Sequence, residues 1–135
     1  MGIDALVQEW AAAFNEKDAE RLAAAFVDDL RYQDVPLQIV CANKEELKAF
    51  VAPWFKAVPD FHVELDEIIL QGQRAAVQWT WTGTQEGELP PNLPPSGKSF
   101  NVRGMSVLEA SRDGKLASGI DYWDLLSVLK DLGFA

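Results

Sequence analysis

Two carboxylates in this sequence lie where a folded chain could use them for proton transfer. Asp121 lies in SGIDYWDL, inside a segment that otherwise has the composition of a buried strand. Asp34 lies in YQDVPL, two residues after Tyr32. A carboxylate in an aromatic pocket loses hydration, so its pKa rises and it exchanges protons near neutral pH. We therefore take Asp121, Asp34 and Tyr32 as candidate catalytic residues for general acid–base chemistry.

Each acid also has a structural interpretation. Asp34 precedes Val-Pro, where aspartate is a common turn residue, and for this residue the two interpretations carry equal weight. Asp121 is unfavourable in mid-strand, so we expect it to point into a pocket. Asp124 precedes the C-terminal helix and is expected to be its N-cap.

Aromatic residues supply candidate walls for such a pocket, since the 135-residue chain has five tryptophans. Trp79 and Trp81 share one face of a predicted strand, where they either pack in the core or form a flat wall for a ring-shaped ligand. Trp54 either contacts the ligand or packs in the core between helix and sheet. The residues assigned to substrate contact are Trp79, Trp81, Trp123, Trp54, Phe14, Arg103 and Met105.

Arg103 is a charged residue in the apolar segment NVRGMSV. It either pairs with an acid across the sheet or meets an oxygen of the ligand. His62 is expected on the surface or at an interface, and Cys41 is expected to be a small buried residue with no nucleophilic role.

Composition argues against several classes of protein. The net charge is −9, with 12 Lys and Arg against 21 Asp and Glu, so the basic surface that nucleic acid or an anionic membrane requires is missing. No dinucleotide, P-loop, HExxH, GxSxG or CxxC motif is present, and there is one histidine; we therefore predict neither cofactor nor metal. The N-terminal segment is unlike a signal peptide, and no apolar run reaches membrane-spanning length, which favours the cytoplasm.

Hydrophobic periodicity predicts the elements that position these residues. No repeat or linker divides the chain, so residues 1–135 are expected to form one α+β domain with an antiparallel meander. Helices are predicted near 4–15, 18–26, 44–58 and 125–132, and strands near 30–35, 61–70, 74–84, 99–110 and 116–123.

The order of these elements, with their motifs, resembles the nuclear-transport-factor-2-like superfamily and, within it, the SnoaL-like group. The motifs are W-x3-F, YQDVP, PDFHVE, AAVQWTWTGT, LPPSGKSF, DGKL and DYWDLLSVLKDLG. The resemblance implies a cone-shaped fold in which a curved, mainly antiparallel sheet wraps around N-terminal helices and encloses a pocket. It also implies a homodimer, for which the outer sheet face with Gln78, Thr80 and Thr82 is suited.

Particular members of the superfamily suggest roles for individual residues. Tyr32, Asp34 and Asp121 match the water-binding and one of the acidic positions of limonene-epoxide hydrolase. The arginine and second acid that this enzyme requires are replaced by Trp79 and Trp81, which argues against epoxide hydrolysis.

Two other members point to the same acids. Asp34 is similar to the proton-shuttling aspartate of ketosteroid isomerase, and Ser106 lies near the position of that enzyme's oxyanion-hole acid. SnoaL-type cyclases use an acid of the final strand region, for which Asp121 is the better match and Asp124 the other.

Three functions follow as hypotheses from these residues and from the resemblance. The first is a cofactor-free enzyme of isomerase, cyclase, dehydratase or hydrolase type that acts on a small hydrophobic substrate. The second is a non-catalytic binder of such a molecule, and the third is a dimerisation module with a vestigial pocket. Acids that face the cavity would favour the enzyme.

Overall fold

The computed structural model describes all 135 residues, which form four helices and one six-stranded sheet. The helices are α1 (Ile3–Asn15), α2 (Ala19–Ala24), α3 (Lys44–Ala57) and α4 (Leu125–Asp131). The strands are β1 (Phe26–Asp34), β2 (Ile39–Cys41), β3 (His62–Gln71), β4 (Arg74–Thr84), β5 (Ser99–Ala110) and β6 (Leu116–Trp123). None of the helices is both long and apolar enough to cross a bilayer.

Side-chain caps begin three of the four helices. Asp18, Asn43 and Asp124 each accept a hydrogen bond from the backbone N–H three residues later, which satisfies a donor that the first helical turn leaves free. The expected cap role of Asp124 is thereby confirmed. Helix α1 differs, because it begins at Ile3 with Gly2 at the N-cap and no side-chain cap, and Asp4 lies in its first turn.

The first strand is longer than the sequence predicts. Strand β1 begins at Phe26, directly after α2, whereas its periodicity is clear only from Leu30. The short β2, which pairs with the end of β1, was not predicted, because three residues are too few to show an alternation.

The sheet has the strand order β2-β1-β6-β5-β4-β3, in which only the β1–β6 pair is parallel. Register shifts interrupt the β1–β6, β3–β4 and β5–β6 pairs, and such irregularities increase the bend and twist of a sheet. The result is a curved, unclosed sheet with the N-terminal helices against its concave face, as predicted.

Burial alternates along β4 and separates the two faces of the sheet. Ala75, Val77, Trp79 and Trp81 are buried, whereas the intervening residues, Gln78 among them, are half-buried. The opposite, convex face leaves apolar side chains exposed, including Ile69 and Tyr122.

Candidate active site

A cavity lies between the concave face of the sheet and helices α1 and α3. Its walls are almost wholly apolar and include all five tryptophans of the chain, and the only charged residues among them are two aspartates. The lining is Trp10, Phe14, Tyr32, Leu37, Phe50, Val51, Trp54, Phe55, Phe61, Val63, Trp79, Trp81 and Trp123, together with Asp34 and Asp121.

The cavity is small. Its volume is about 60 Å³, and all the space between its walls, including the part open to solvent, is about 530 Å³. For comparison, an apolar cavity of roughly 150 Å³ binds benzene. A ring-shaped ligand would therefore extend into the part that is open to solvent, or require the walls to move.

Asp121 is the central polar group of the cavity. Strand β6 directs Gly119, Asp121 and Trp123 to the concave face, as the alternation of the strand predicts. The Oδ1 atom of Asp121 accepts hydrogen bonds from the hydroxyl of Tyr32 at 2.8 Å and from that of Ser106 at 2.6 Å. Ser106 lies opposite Asp121 in the β5–β6 register.

Burial controls the protonation of Asp121, which is 8% exposed. Loss of hydration raises its pKa from the usual 3.8 to about 7; the negative charge of Asp34 adds to the rise, and the bonds from Ser106 and Tyr32 oppose it. An acid with this pKa is present in both protonation states at neutral pH, as a group that both takes and returns protons must be.

Each hydroxyl beside Asp121 is itself hydrogen-bonded to an indole. The Nε1–H of Trp79 donates to Ser106 Oγ at 2.9 Å, and that of Trp10 donates to Tyr32 Oη at 3.2 Å. Burial and the nearby charge of Asp121 raise the pKa of Tyr32 well above its ordinary value. The Tyr32 hydroxyl therefore stays protonated at neutral pH.

Two glycines make room for the rings of Trp79 and Tyr32. Gly104 lies opposite Trp79 in the β4–β5 register, and a Cβ at this position would collide with the indole. Gly119 lies beside Tyr32 in the β1–β6 register, and a Cβ there would lie 2.7 Å from the phenol ring. Each ring thus covers a glycine and bonds to a polar side chain near it.

Asp34 lies at the end of β1 and is 3% exposed. Its Oδ2 accepts a bond from Trp123 Nε1 at 2.9 Å, and its Oδ1 accepts one from the backbone N–H of Leu37 at 3.1 Å. Burial raises the pKa of Asp34, while these two bonds lower it by favouring the charged form. Asp34 therefore shapes the turn after β1 and also lines the cavity.

Trp81 has the one buried side-chain nitrogen or oxygen atom without a hydrogen-bond partner, its Nε1. Its ring lies among Trp54, Phe61, Phe100 and Trp123, with centroid distances from 4.6 to 5.4 Å. An unsatisfied buried donor costs about 1–3 kcal/mol, which a ligand that offers an acceptor would offset.

Two residues assigned to substrate contact lie outside the cavity. Arg103 and Met105 alternate with Gly104 along β5 and lie on the convex face, in register with Thr80 and Gln78. The assignment of both to substrate contact is wrong. Arg103 is exposed, and it also takes part in none of the salt bridges of the chain, including the expected pair across the sheet.

The structure brings the other predicted residues together. Tyr32, Asp34 and Asp121 meet at one side of the cavity, and Phe14, Trp54, Trp79, Trp81 and Trp123 lie in its walls. Sequence reasoning missed further lining residues on the helices, on β3 and in two loops. These are Trp10, Leu37, Phe50, Val51, Phe55, Phe61 and Val63. All except Leu37 belong to the apolar periodicity of the segments predicted as helices 4–15 and 44–58 and strand 61–70, which was the signal that could have found them.

The remaining special residues lie away from this chemistry. His62 is exposed, as expected. Cys41 is buried, and burial raises the pKa of its thiol to about 11, which leaves it protonated and unreactive. No group of three or more His, Cys, Asp or Glu side chains is arranged to hold a metal ion.

The curved sheet, the helices on its concave face and the acid-bearing cavity define a nuclear-transport-factor-2-like or ketosteroid-isomerase-like fold. Solved structures agree with this class. TsrD from Streptomyces laurentii is 28% identical, with a TM-score of 0.85 over 98% of this chain and 96% of that one. IdmH from Streptomyces antibioticus, described as a candidate polyketide cyclase, is 18% identical, with a TM-score of 0.82 over 98% and 99%.

A third structure has a bound small molecule. It is a protein from Catenulispora acidiphila with a ketosteroid-isomerase-like fold, in complex with trimethylamine; it is 23% identical, with a TM-score of 0.82 over 96% of this chain and 93% of that one. At this identity the likeness shows the fold alone.

The sequence also identifies the family. Residues 4–132 match the SnoaL-like polyketide cyclase family, and the chain belongs to it. No curated protein matches the sequence.

Proposed function

We propose that this protein is a cofactor-free acid–base enzyme that moves a proton on a small apolar carbonyl compound, in a reaction of isomerase or cyclase type. The observation that carries the proposal is Asp121, an acid with a pKa of about 7 inside an aromatic cavity. Dehydratase or hydrolase chemistry would use the same group. Membership of a family named for polyketide cyclases supports this class of chemistry.

The proton transfer follows from the environment of Asp121. The ionised carboxylate removes a proton from the carbon next to a carbonyl group, and the electron pair of that C–H bond moves to the carbonyl oxygen. The electron pair then moves back from the oxygen. In an isomerisation it bonds another carbon to the proton that Asp121 returns; in a cyclisation the enolate carbon attacks a second carbonyl carbon of the same molecule, the π pair of that C=O bond moves to its oxygen, and this oxygen takes the proton from Asp121. Trp81 Nε1–H, which has no acceptor in the protein, is the donor we assign to the carbonyl oxygen; the atom is fully buried, so the rings around it must move to expose it to the ligand.

The apolar walls select the substrate. No lining residue is basic, and the two aspartates repel anions, so carboxylates and phosphates are disfavoured as ligands. The tryptophan and phenylalanine rings favour a flat, neutral molecule.

Hydrogen–deuterium exchange on small cyclic ketones tests the proposal. The protein in D2O should accelerate exchange at the carbons next to the carbonyl, as followed by proton NMR. Asp121→Asn keeps the size and the acceptor oxygen of the side chain but cannot take up the proton, and should lower the rate by roughly a hundredfold or more. Asp29→Asn, which alters an exposed acid of β1, is the control.

Unchanged exchange in Asp121→Asn would contradict the proposal. Native mass spectrometry of freshly prepared protein would meanwhile identify any small molecule that copurifies. A bound molecule without exchange activity would favour the binding function over the enzyme.

A second candidate function is the binding of a small organic cation without catalysis. Aromatic faces attract alkylammonium ions, and two carboxylates line the same cavity. The trimethylamine complex of the Catenulispora acidiphila protein is consistent with such a ligand. Tetramethylammonium would then bind more tightly above pH 7 than at pH 5, whereas neutral tert-butanol would bind weakly at both; equal affinities would contradict this candidate.

A further inference from the structure

Two hydroxyl groups beside Asp121 have their protons fixed in direction. An indole N–H can only donate, so Trp79 makes Ser106 Oγ an acceptor, and Trp10 makes Tyr32 Oη an acceptor. The single proton of each hydroxyl is left for Asp121, at 2.6 Å from Ser106 and 2.8 Å from Tyr32. Two chains of hydrogen bonds thus end at the side chain of Asp121. Each chain runs from an indole N–H through a hydroxyl to the carboxyl group.

Both chains end on the same oxygen. Oδ1 of Asp121 accepts both bonds, and Oδ2 accepts none. Nε1 of Trp81 is the only fully buried side-chain nitrogen or oxygen that lacks a hydrogen-bond partner. Oδ2 of Asp121 also lacks a partner, so it is not fully buried. Since Asp121 lines the cavity, Oδ2 is the oxygen that is open to it.

We propose that Ser106, oriented by Trp79, and Tyr32, oriented by Trp10, are positioning residues that hold Oδ1 of Asp121 as a permanent acceptor, so that Oδ2 alone takes and releases the proton. This inference rests on the proposed acid–base function of Asp121. Oδ1 keeps its two bonds while the proton moves between a substrate carbon and Oδ2.

The inference changes the role of Tyr32. The resemblance to limonene-epoxide hydrolase matched Tyr32 to a water-binding position. Its one proton is directed to Asp121, and its acceptor side is taken by Trp10. Tyr32 therefore acts through Asp121, and Ser106 acts in the same way from the neighbouring strand.

The titration of Asp121 without substrate tests this arrangement. The carboxyl carbon of Asp121 is followed against pH by 13C NMR in the whole protein. A donor to Oδ1 stabilises the carboxylate, so Ser106→Ala should move the midpoint up by about one pH unit. Trp79→Phe keeps the Ser106 hydroxyl but removes its orienting donor, and should give a smaller rise.

Ser118→Ala is the matched control. Ser118 lies on β6, three residues before Asp121, and is paired with Glu109 and Arg31 instead of with residues of the cavity. The titration midpoint of Asp121 in Ser118→Ala should equal that in the wild type. The midpoint of the deuterium-exchange rate against pH should rise with the NMR midpoint in Ser106→Ala, which a loss of packing alone would not produce.

The results separate this inference from the proposed function. A wild-type midpoint close to pH 7 that Ser106→Ala leaves in place would overturn the positioning role while the acid–base function stands. A wild-type midpoint of about pH 4 would overturn both. If Ser106→Ala does not fold, Tyr32→Phe tests the other hydroxyl. The titration midpoint of Asp121 should rise in this variant too, and an unchanged midpoint would overturn the positioning role.

Discussion

Asp121 should make the stability of the protein fall as pH rises. The folded state holds the proton on Asp121 up to a pKa of about 7, whereas the unfolded chain releases it near the usual 3.8. Between these values the native state binds more protons than the unfolded state, so the free energy of unfolding decreases with pH. At about 1.4 kcal/mol per pH unit, the total loss is about 4 kcal/mol.

Asp121→Asn should remove this dependence. The amide oxygen can accept the bonds from Tyr32 and Ser106, and the amide nitrogen takes the place of Oδ2. Urea unfolding of both proteins at pH 4 and pH 8 gives the comparison. From pH 4 to pH 8, the free energy of unfolding of the variant should rise by about 4 kcal/mol relative to that of the wild type. Other titrating groups are common to both proteins and largely cancel.

One result would refute this reasoning. If the variant and the wild type differ by the same free energy at pH 4 and pH 8, Asp121 is not protonated in the native state at pH 5 to 6. Asp29→Asn serves as the control, because it removes an exposed carboxylate of the same sheet.

Three further predictions concern the surroundings of Asp121 and the outer face. Asp34→Asn should lower the pKa of Asp121, since the charge of Asp34 helps to raise it; an unchanged 13C titration would contradict this coupling. Gly119→Ala should destabilise the fold by about 1–3 kcal/mol, because its Cβ would meet the ring of Tyr32 at 2.7 Å. If urea unfolding at pH 5 shows no loss of stability, the ring of Tyr32 moves aside without cost and this prediction is wrong. We also expect a homodimer through the convex face, where Tyr122 is 47% exposed; sedimentation should show a dimer in the wild type and a monomer in Tyr122→Lys, and a wild-type monomer at micromolar concentration would contradict it.

Much of the fold could be predicted because single strands carry clear alternation. In β4 the buried Val77, Trp79 and Trp81 alternate with polar residues, so the concave face was predictable. In β6 an acid among apolar residues indicated a special environment for Asp121. These inferences need only the period of one strand.

Strand β5 shows why the remaining assignments failed. In the middle of this strand the concave side has small residues, Gly104 and Ser106, whereas Arg103 and Met105 lie on the convex side. Size and hydrophobicity therefore point to the wrong face. The reason is that the indole of Trp79 fills the space above Gly104, which depends on the register between two strands and is not visible in either alone.

The polar groups and about half of the apolar wall come from different layers of the protein. Asp34, Asp121 and Ser106 are on the sheet, whereas Phe14, Phe50 and much of the remaining wall are on helices α1 and α3. Helix side chains can thus be exchanged without a change in the carboxylates or their donors, provided that Trp10 is kept. Under the proposed function, libraries restricted to these helical positions would be a route to new substrate ranges, because they vary the helical part of the wall and leave the carboxylates on the sheet unchanged.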